Sequence, residues 1–159
     1  MALIVQKFGG TSVGSIERIR AAAQRVAKWK AKGHQLVVVP SAMAGETNRL
    51  LGLASHLQEH PDPRELDVIA STGEQVTIGL LAMALLALGV KARSYAGWQV
   101  KVLTDSAFTR ARIVSIDEKR IRKDLEDDTV VIVAGFQGVD TEGNLTTLGR
   151  GGSDSNPVA

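Results

Sequence analysis

Short uninterrupted apolar runs alternate along the chain with longer stretches in which apolar residues recur every three or four positions. Leu3, Ile4 and Val5 form the first run, and its halt at Gly9 and Gly10 predicts a buried strand entering a tight turn. Ile16, Ile19, Ala23, Val26 and Ala27 then keep helical spacing up to Gly33, with Ser15 placed to cap the helix. Arg25, Lys28, Lys30 and Lys32 suit the negative end of its dipole. Residues 36–39 form a second apolar strand, and Pro40, which has no N–H, is expected to end its pairing.

After a polar turn over residues 41–48, helical spacing returns from about 47 to 57, and again over 64–88 beyond the His60-Pro61-Asp62-Pro63 breaker. Ser71-Thr72-Gly73-Glu74 interrupts or restarts that last helix, because glycine in a helix interior costs about 1 kcal/mol relative to alanine. Residues 90–95, 100–104 and 112–116 read as strands. Asp117 opens a charged helix with Ile121 and Leu125 on its inner face, and 129–134 is the most apolar strand of all. Strands alternating with helices imply parallel pairing through crossover connections. The expected fold is therefore α/β: three-layer α/β/α with a mainly parallel sheet.

Composition narrows the classes of function. The 159 residues give room for one domain, and 44% hydrophobic with 23% charged residues is a globular mix, which excludes a disordered or fibrous chain. A net charge of +2, with no basic stripe interleaved with aromatics, gives no expectation of a nucleic-acid partner. The absence of cysteine removes disulfides, zinc fingers and thiol nucleophiles together, and favours an intracellular protein. No run approaches the roughly 18 consecutive apolar residues of a membrane span, and residues 1–5 lack the charged start of a secretory signal. The expected location is cytoplasmic, with no membrane partner. His34, His56 and His60 show no metal-ligand spacing, so no metal site is expected, and the charges of 117–128 read as the wet face of a helix.

Three glycine-bearing turns stand at carboxyl ends of expected strands or in front of helices, where ligands of open α/β sheets bind. In Lys7-Phe8-Gly9-Gly10-Thr11-Ser12 the glycines let backbone N–H groups approach an anion and Lys7 adds a mobile charge; a plain strand-to-helix turn is the alternative. Gly9 to Gly14 has P-loop spacing, but Ser15 and Ile16 stand where that loop needs Lys and then Ser or Thr. Ser41 and Thr47 can hydrogen-bond a small polar substrate or cap a helix, and Glu74 can bind an ammonium group or favour a helix start. Residues 146–154 crowd Gly149, Gly151 and Gly152 around Arg150, leaving backbone free to touch a ligand and a guanidinium free to grip a carboxylate or phosphate. Asp154 can orient Lys7 or organise a metal ion. Gly149-Arg150-Gly151 begins like a dinucleotide fingerprint, but no glycine stands at its third glycine position.

Taken in order, the Lys7–Ser12 turn, Ser41-Ala42-Met43, Ser71-Thr72-Gly73-Glu74-Gln75, Gly135-Phe136-Gln137-Gly138 and the 148–154 segment resemble the motif set of the aspartate kinases, within the amino acid kinase superfamily. The resemblance runs along essentially the whole chain and covers the N-terminal, aspartate-binding portion of that family's kinase domain. The nucleotide-binding half and the regulatory ACT domains are expected outside residues 1–159, and the isolated chain is expected to be inactive. The family's reaction passes a phosphoryl group from ATP, with Mg2+, to the side-chain carboxylate of L-aspartate, opening lysine, threonine and methionine synthesis. The resemblance implies that Lys7, Gly9, Gly10, Thr11 and Ser12 hold phosphates. It implies an aspartate pocket of Ser41, Thr47, Glu74, Arg150, Gly151, Gly152 and Ser153, with Asp154 steadying Lys7 and Lys7 and Asp154 as the catalytic pair. It implies a homo-oligomeric parent enzyme. Pro40 and Ser155-Asn156-Pro157 depart from the family pattern. The alternative is an amino-acid or anion-binding domain, or a pseudokinase subunit, without chemistry of its own.

Overall fold

The computed structural model describes residues 1–149. Its first sheet is wholly parallel, in the order β1 (Leu3–Phe8), β2 (Gln35–Pro40), β6 (Val130–Val133), β3 (Ala92–Tyr95). Its central strands are apolar from Leu36 to Pro40 and throughout β6 because both faces are covered. Leu36, Val38, Val130 and Ile132 pack under α1 (Ile16–Ala31) and α4 (Thr72–Ala87); Val37, Val131 and Val133 face the opposite way, towards Leu125 and Ile121 of α5 (Lys119–Glu126). Helices on both faces of a parallel sheet make the expected three layers. Ser15 caps α1 as its position implies, its Oγ accepting from the Arg18 N–H at 3.2 Å.

Pro40 does not end the pairing of β2. It pairs in register with Phe8, and its carbonyl still accepts, taking the Gly135 N–H at 3.2 Å, while the Ser41 N–H bonds to the Phe8 carbonyl at 2.9 Å. Proline removes one donor only, and at the last position of the strand neighbouring residues continue the ladder.

A second sheet carries what the single-sheet expectation did not separate. Its order is β5 (Ile113–Ile116), β4 (Val102–Thr104), β7 (Gln137–Val139), β8 (Leu145–Thr147), with antiparallel β4–β5 and β7–β8 pairs and a parallel β4–β7 contact. Part of the 146–154 turn is thus a strand. Asp140 closes the β7–β8 connection by accepting from the Glu142 and Asn144 N–H groups and the side chains of Ser106 and Asn144. Burial raises its carboxyl's proton affinity, but these bonds outweigh that and hold the group below the ordinary carboxylate range.

Between β2 and β3 along the chain run α2 (Glu46–Leu57), α3 (Pro63–Ala70) and α4. Asp62 caps α3, and only Ser71 separates α3 from α4. Together Pro63–Ala87 is long and apolar enough by composition to cross a membrane, but half of the qualifying window is buried in the fold. Its buried polar groups Asp67, Ser71 and Thr77 bond to protein, as in a core helix.

Asp67 is fully buried and joins three distant segments. It accepts from the Thr109 N–H at 2.9 Å, the Thr147 N–H at 2.9 Å and the Thr147 hydroxyl at 2.7 Å. Thr109 holds a φ of 72°, strained for a β-branched residue, and this bond helps secure it. Asp67→Asn would turn an amide N–H against these donors, so the variant is expected to lose about 2–4 kcal/mol of stability. Urea unfolding at pH 7 measures the loss; a change below 1 kcal/mol would contradict the clasp.

Candidate functional site

Four of the residues singled out in the sequence line one open cleft. Gly10, Ser41, Thr47 and Glu74 surround a space of about 260 Å³, joined by Met43, Asn48 and Phe136. The first turn delivers Gly10 from the end of β1, the strand β2 delivers Ser41, the start of α2 delivers Thr47, and the start of α4 delivers Glu74. Lys7 on β1 and Gly9, Thr11 and Ser12 in the turn are exposed and do not line the cleft. Gly9 has open space where a side chain would stand. Between that turn and α1 lies a short 3-10 helix, Gly10–Val13, so the α-helix does not begin directly at the glycines. Arg150, Gly151, Gly152, Ser153 and Asp154 lie outside the described residues.

The hydroxyls of Ser41 and Thr47 are not spent on capping. The N-cap of α2 is Gly45, at φ 81°, and Ser41 and Thr47 instead border the cleft. Ser71, the N-cap of α4, turns its hydroxyl back to the Val68 carbonyl.

Glu74 decides the electrostatics of the site. It stands in the first turn of α4, where the helix dipole favours a negative charge, yet only 2% of it is exposed and its Oε2 is buried with no partner. Loss of solvation pushes its carboxyl up to about 7; its own N–H, the Ala42 N–H and the Gln137 side chain act in the opposite sense without offsetting burial. Gln137 is held in turn, donating to the Ser71 carbonyl at 2.8 Å and accepting from the Gly97 N–H at 3.2 Å. A buried, unpartnered carboxylate oxygen on a residue that lines a cleft is a candidate receptor for a cationic or protonated donor.

Phe136 and Asp67 had no assigned role in the sequence. Phe136 borders the cleft with a φ of 69°, an outlier for an aromatic residue, and its carbonyl accepts from the Leu148 N–H at 3.0 Å. The Gly135-Phe136-Gln137-Gly138 motif marked the place without indicating the conformation. On the far side of Thr47 and Phe136 lies a second, more apolar space of about 350 Å³, bordered by Leu51, Leu66, Asp67 and Thr147. Among the described residues no group of three or more His, Asp or Glu side chains could hold a metal ion.

The sequence model of the amino acid kinase family matches residues 2–158. The aspartokinase of Pseudomonas aeruginosa is 65% identical over 159 residues, all of this chain and 39% of that protein. The crystal structure of aspartate kinase from Synechocystis superposes with a TM-score of 0.82 at 44% identity, covering 99% of this chain and 26% of that one. Aspartokinase III of E. coli, in its complex with aspartate and ADP, gives a TM-score of 0.80 at 26% identity over 97% of this chain and 45% of that one. The chain spans 39% of the length of the curated relative it matches.

The raised Glu74 carboxyl makes stability depend on pH with a definite sign. Between the usual carboxylate value of 4.5 and about 7 the folded chain keeps a proton that the unfolded chain has released, so stability falls as pH rises through that window. Glu74→Gln is expected to flatten this slope and, at pH 8, to exceed the parent chain in stability by up to about 3 kcal/mol. Urea unfolding of both at pH 5 and pH 8 checks this, and parallel slopes in the two proteins would refute it.

Proposed function

The chain belongs to the amino acid kinase family, and from that membership we propose that it forms the acceptor side of an aspartate kinase. The reaction proposed is transfer of the γ-phosphoryl group of ATP to the side-chain carboxylate of L-aspartate, giving 4-phospho-L-aspartate. This is the cytoplasmic entry step to lysine, threonine and methionine. The observation that carries the reading is the buried, unpartnered Glu74 oxygen in a cleft built from the family's motif residues. Support comes from the aspartokinases that match the whole chain and from the E. coli relative solved with aspartate and ADP.

The chemistry asks little of the protein in proton transfer. An aspartate side chain, with a pKa of about 3.9, is ionised at neutral pH and needs no general base. What is required is the positioning of two anions and the neutralisation of charge on the transferred group. Glu74 receives the substrate ammonium, with Ser41 and Thr47 as hydroxyl partners beside it. Arg150 grips a substrate carboxylate, with Gly151, Gly152 and Ser153 giving it close backbone. Lys7 and the Gly9-Gly10-Thr11-Ser12 turn face the phosphates, and Asp154 steadies Lys7. Mg2+ arrives with the nucleotide rather than on a resident acidic cluster. Base and ribose contacts, and ACT-type regulation, belong to segments beyond this acceptor side. Self-association belongs to the same reading, supported by the exposed Val76, Met83 and Leu86 on the outer side of α4.

An ammonium group beside Glu74 lowers its carboxyl again, because an opposite charge favours the ionised form. Near pH 7, where about half of the Glu74 population is protonated by the shift above, L-aspartate binding is expected to release about half a proton. Calorimetry in two buffers of different ionisation enthalpy reads this directly. Glu74→Gln is expected to abolish the release, and Arg150→Ala to weaken binding at least about tenfold through loss of a charged bidentate contact. Binding without proton release would remove Glu74 from the ammonium site; no binding at all would sink the acceptor-side reading for this chain.

A further inference from the structure

Ala42 is buried between two glycines from separate elements. A Cβ on Gly73 would stand 2.9 Å from the Ala42 Cβ, closer than two carbon atoms tolerate, and a Cβ on Gly10 would stand 3.1 Å from the Ala42 carbonyl oxygen. Two residues on, the Ala44 N–H donates to the Gly10 carbonyl at 3.1 Å. The Ala42 N–H also favours the ionised form of Glu74. The start of α4, which carries Glu74, and the glycine turn after β1 are therefore both seated on residues 42–44.

We propose that Gly73 and Ala42 are positioning residues, which through the 41–44 segment set the separation between the acceptor site at Glu74 and the phosphate turn at Gly9 and Gly10. The inference rests on the acceptor reading of Glu74 given above, and it adds the spacer that places the two half-sites. Group transfer demands such a spacer, since a displacement of about 1 Å between reacting partners can cost about 100-fold in rate. Helix propensity alone would favour alanine at position 73. The lack of room over Ala42 is what opposes it.

The test uses the 15N-labelled chain. In Gly73→Ala the amide resonances of Gly10 and Ala44 are expected to move. In Gly79→Ala, on the same helix but with open space at the added Cβ, they are expected to stay. L-Aspartate affinity by calorimetry is expected to fall about tenfold in Gly73→Ala, the usual scale of an overpacked contact. The melting temperature is expected to fall, because the overpacked contact with Ala42 costs more than the helix gains from alanine. In the double variant Ala42→Gly/Gly73→Ala the colliding methyl is gone, and affinity should return to within about twofold of Ala42→Gly alone. Unmoved Gly10 and Ala44 resonances in Gly73→Ala overturn the proposal, as do losses that simply multiply in the double variant. Should Gly73→Ala fail to fold, recovery of the fold in the double variant supports the wedge and failure of both overturns it. A parent chain that ignores L-aspartate defeats the acceptor reading, and the resonance comparison then decides the spacer by itself.

Discussion

A carboxylate sealed from water must find donors or give up its charge, and the rest of this structure is arranged around how Asp67 finds them. Its partners, Thr109 and Thr147, lie 42 and 80 residues away along the chain. Meeting them fixes α3 against β8 and pins the strained Thr109 turn. It also orients α3 relative to the second sheet, and α4 follows after a single intervening residue. Apolar burial under α1 and α4 is larger in area but does not choose direction, because the hydrophobic effect has none. The directional bonds of one acidic group supply the choice.

Two buried carboxylates seven positions apart have opposite fates. Asp67 is saturated by its neighbours and has nothing left to offer a ligand. Glu74 lines a cleft with one buried oxygen unpartnered, and loss of solvation raises its proton affinity. Burial alone would have classed them together. The difference lies in how many donors the fold brings to each, and it separates a group that holds the frame from one placed to receive something from outside.

The parallel sheet was legible in the sequence because its inner strands are buried on both faces, so that Leu36–Val39 and Val130–Val133 appear as unbroken apolar runs. The helices were legible from their spacing and from Ser15 and the Pro61–Pro63 breaker. Of the second sheet, β4 and β5 were legible as strands over 100–104 and 112–116, but β7 and β8 were not. Gln137–Val139 and Leu145–Thr147 are three residues each, too short to show alternation, and the first has glycine at its centre. Asp67 was hidden for a related reason: beside Arg64 and Glu65 it reads as part of a wet helical face, and only contacts made far along the chain bury it. Gly10, Ser41, Thr47 and Glu74 were identified from their motifs and share one cleft. Their motifs said nothing of the positive φ at Phe136, whose carbonyl accepts from the Leu148 N–H at the end of the β7–β8 pair.

The junction at Ser71 has a consequence for how this part of the chain can vary in length. α3 is indexed to the second sheet by Asp67, and α4 is indexed to the cleft by Glu74, with only Ser71, itself at right-handed helical angles, between them. Each residue added or removed there would turn Glu74 by about 100° around its helix and carry its carboxylate out of the cleft. Loops elsewhere can lengthen by one residue at small cost. Between Asp67 and Glu74 the register admits no such drift, so insertions and deletions should be excluded within this segment.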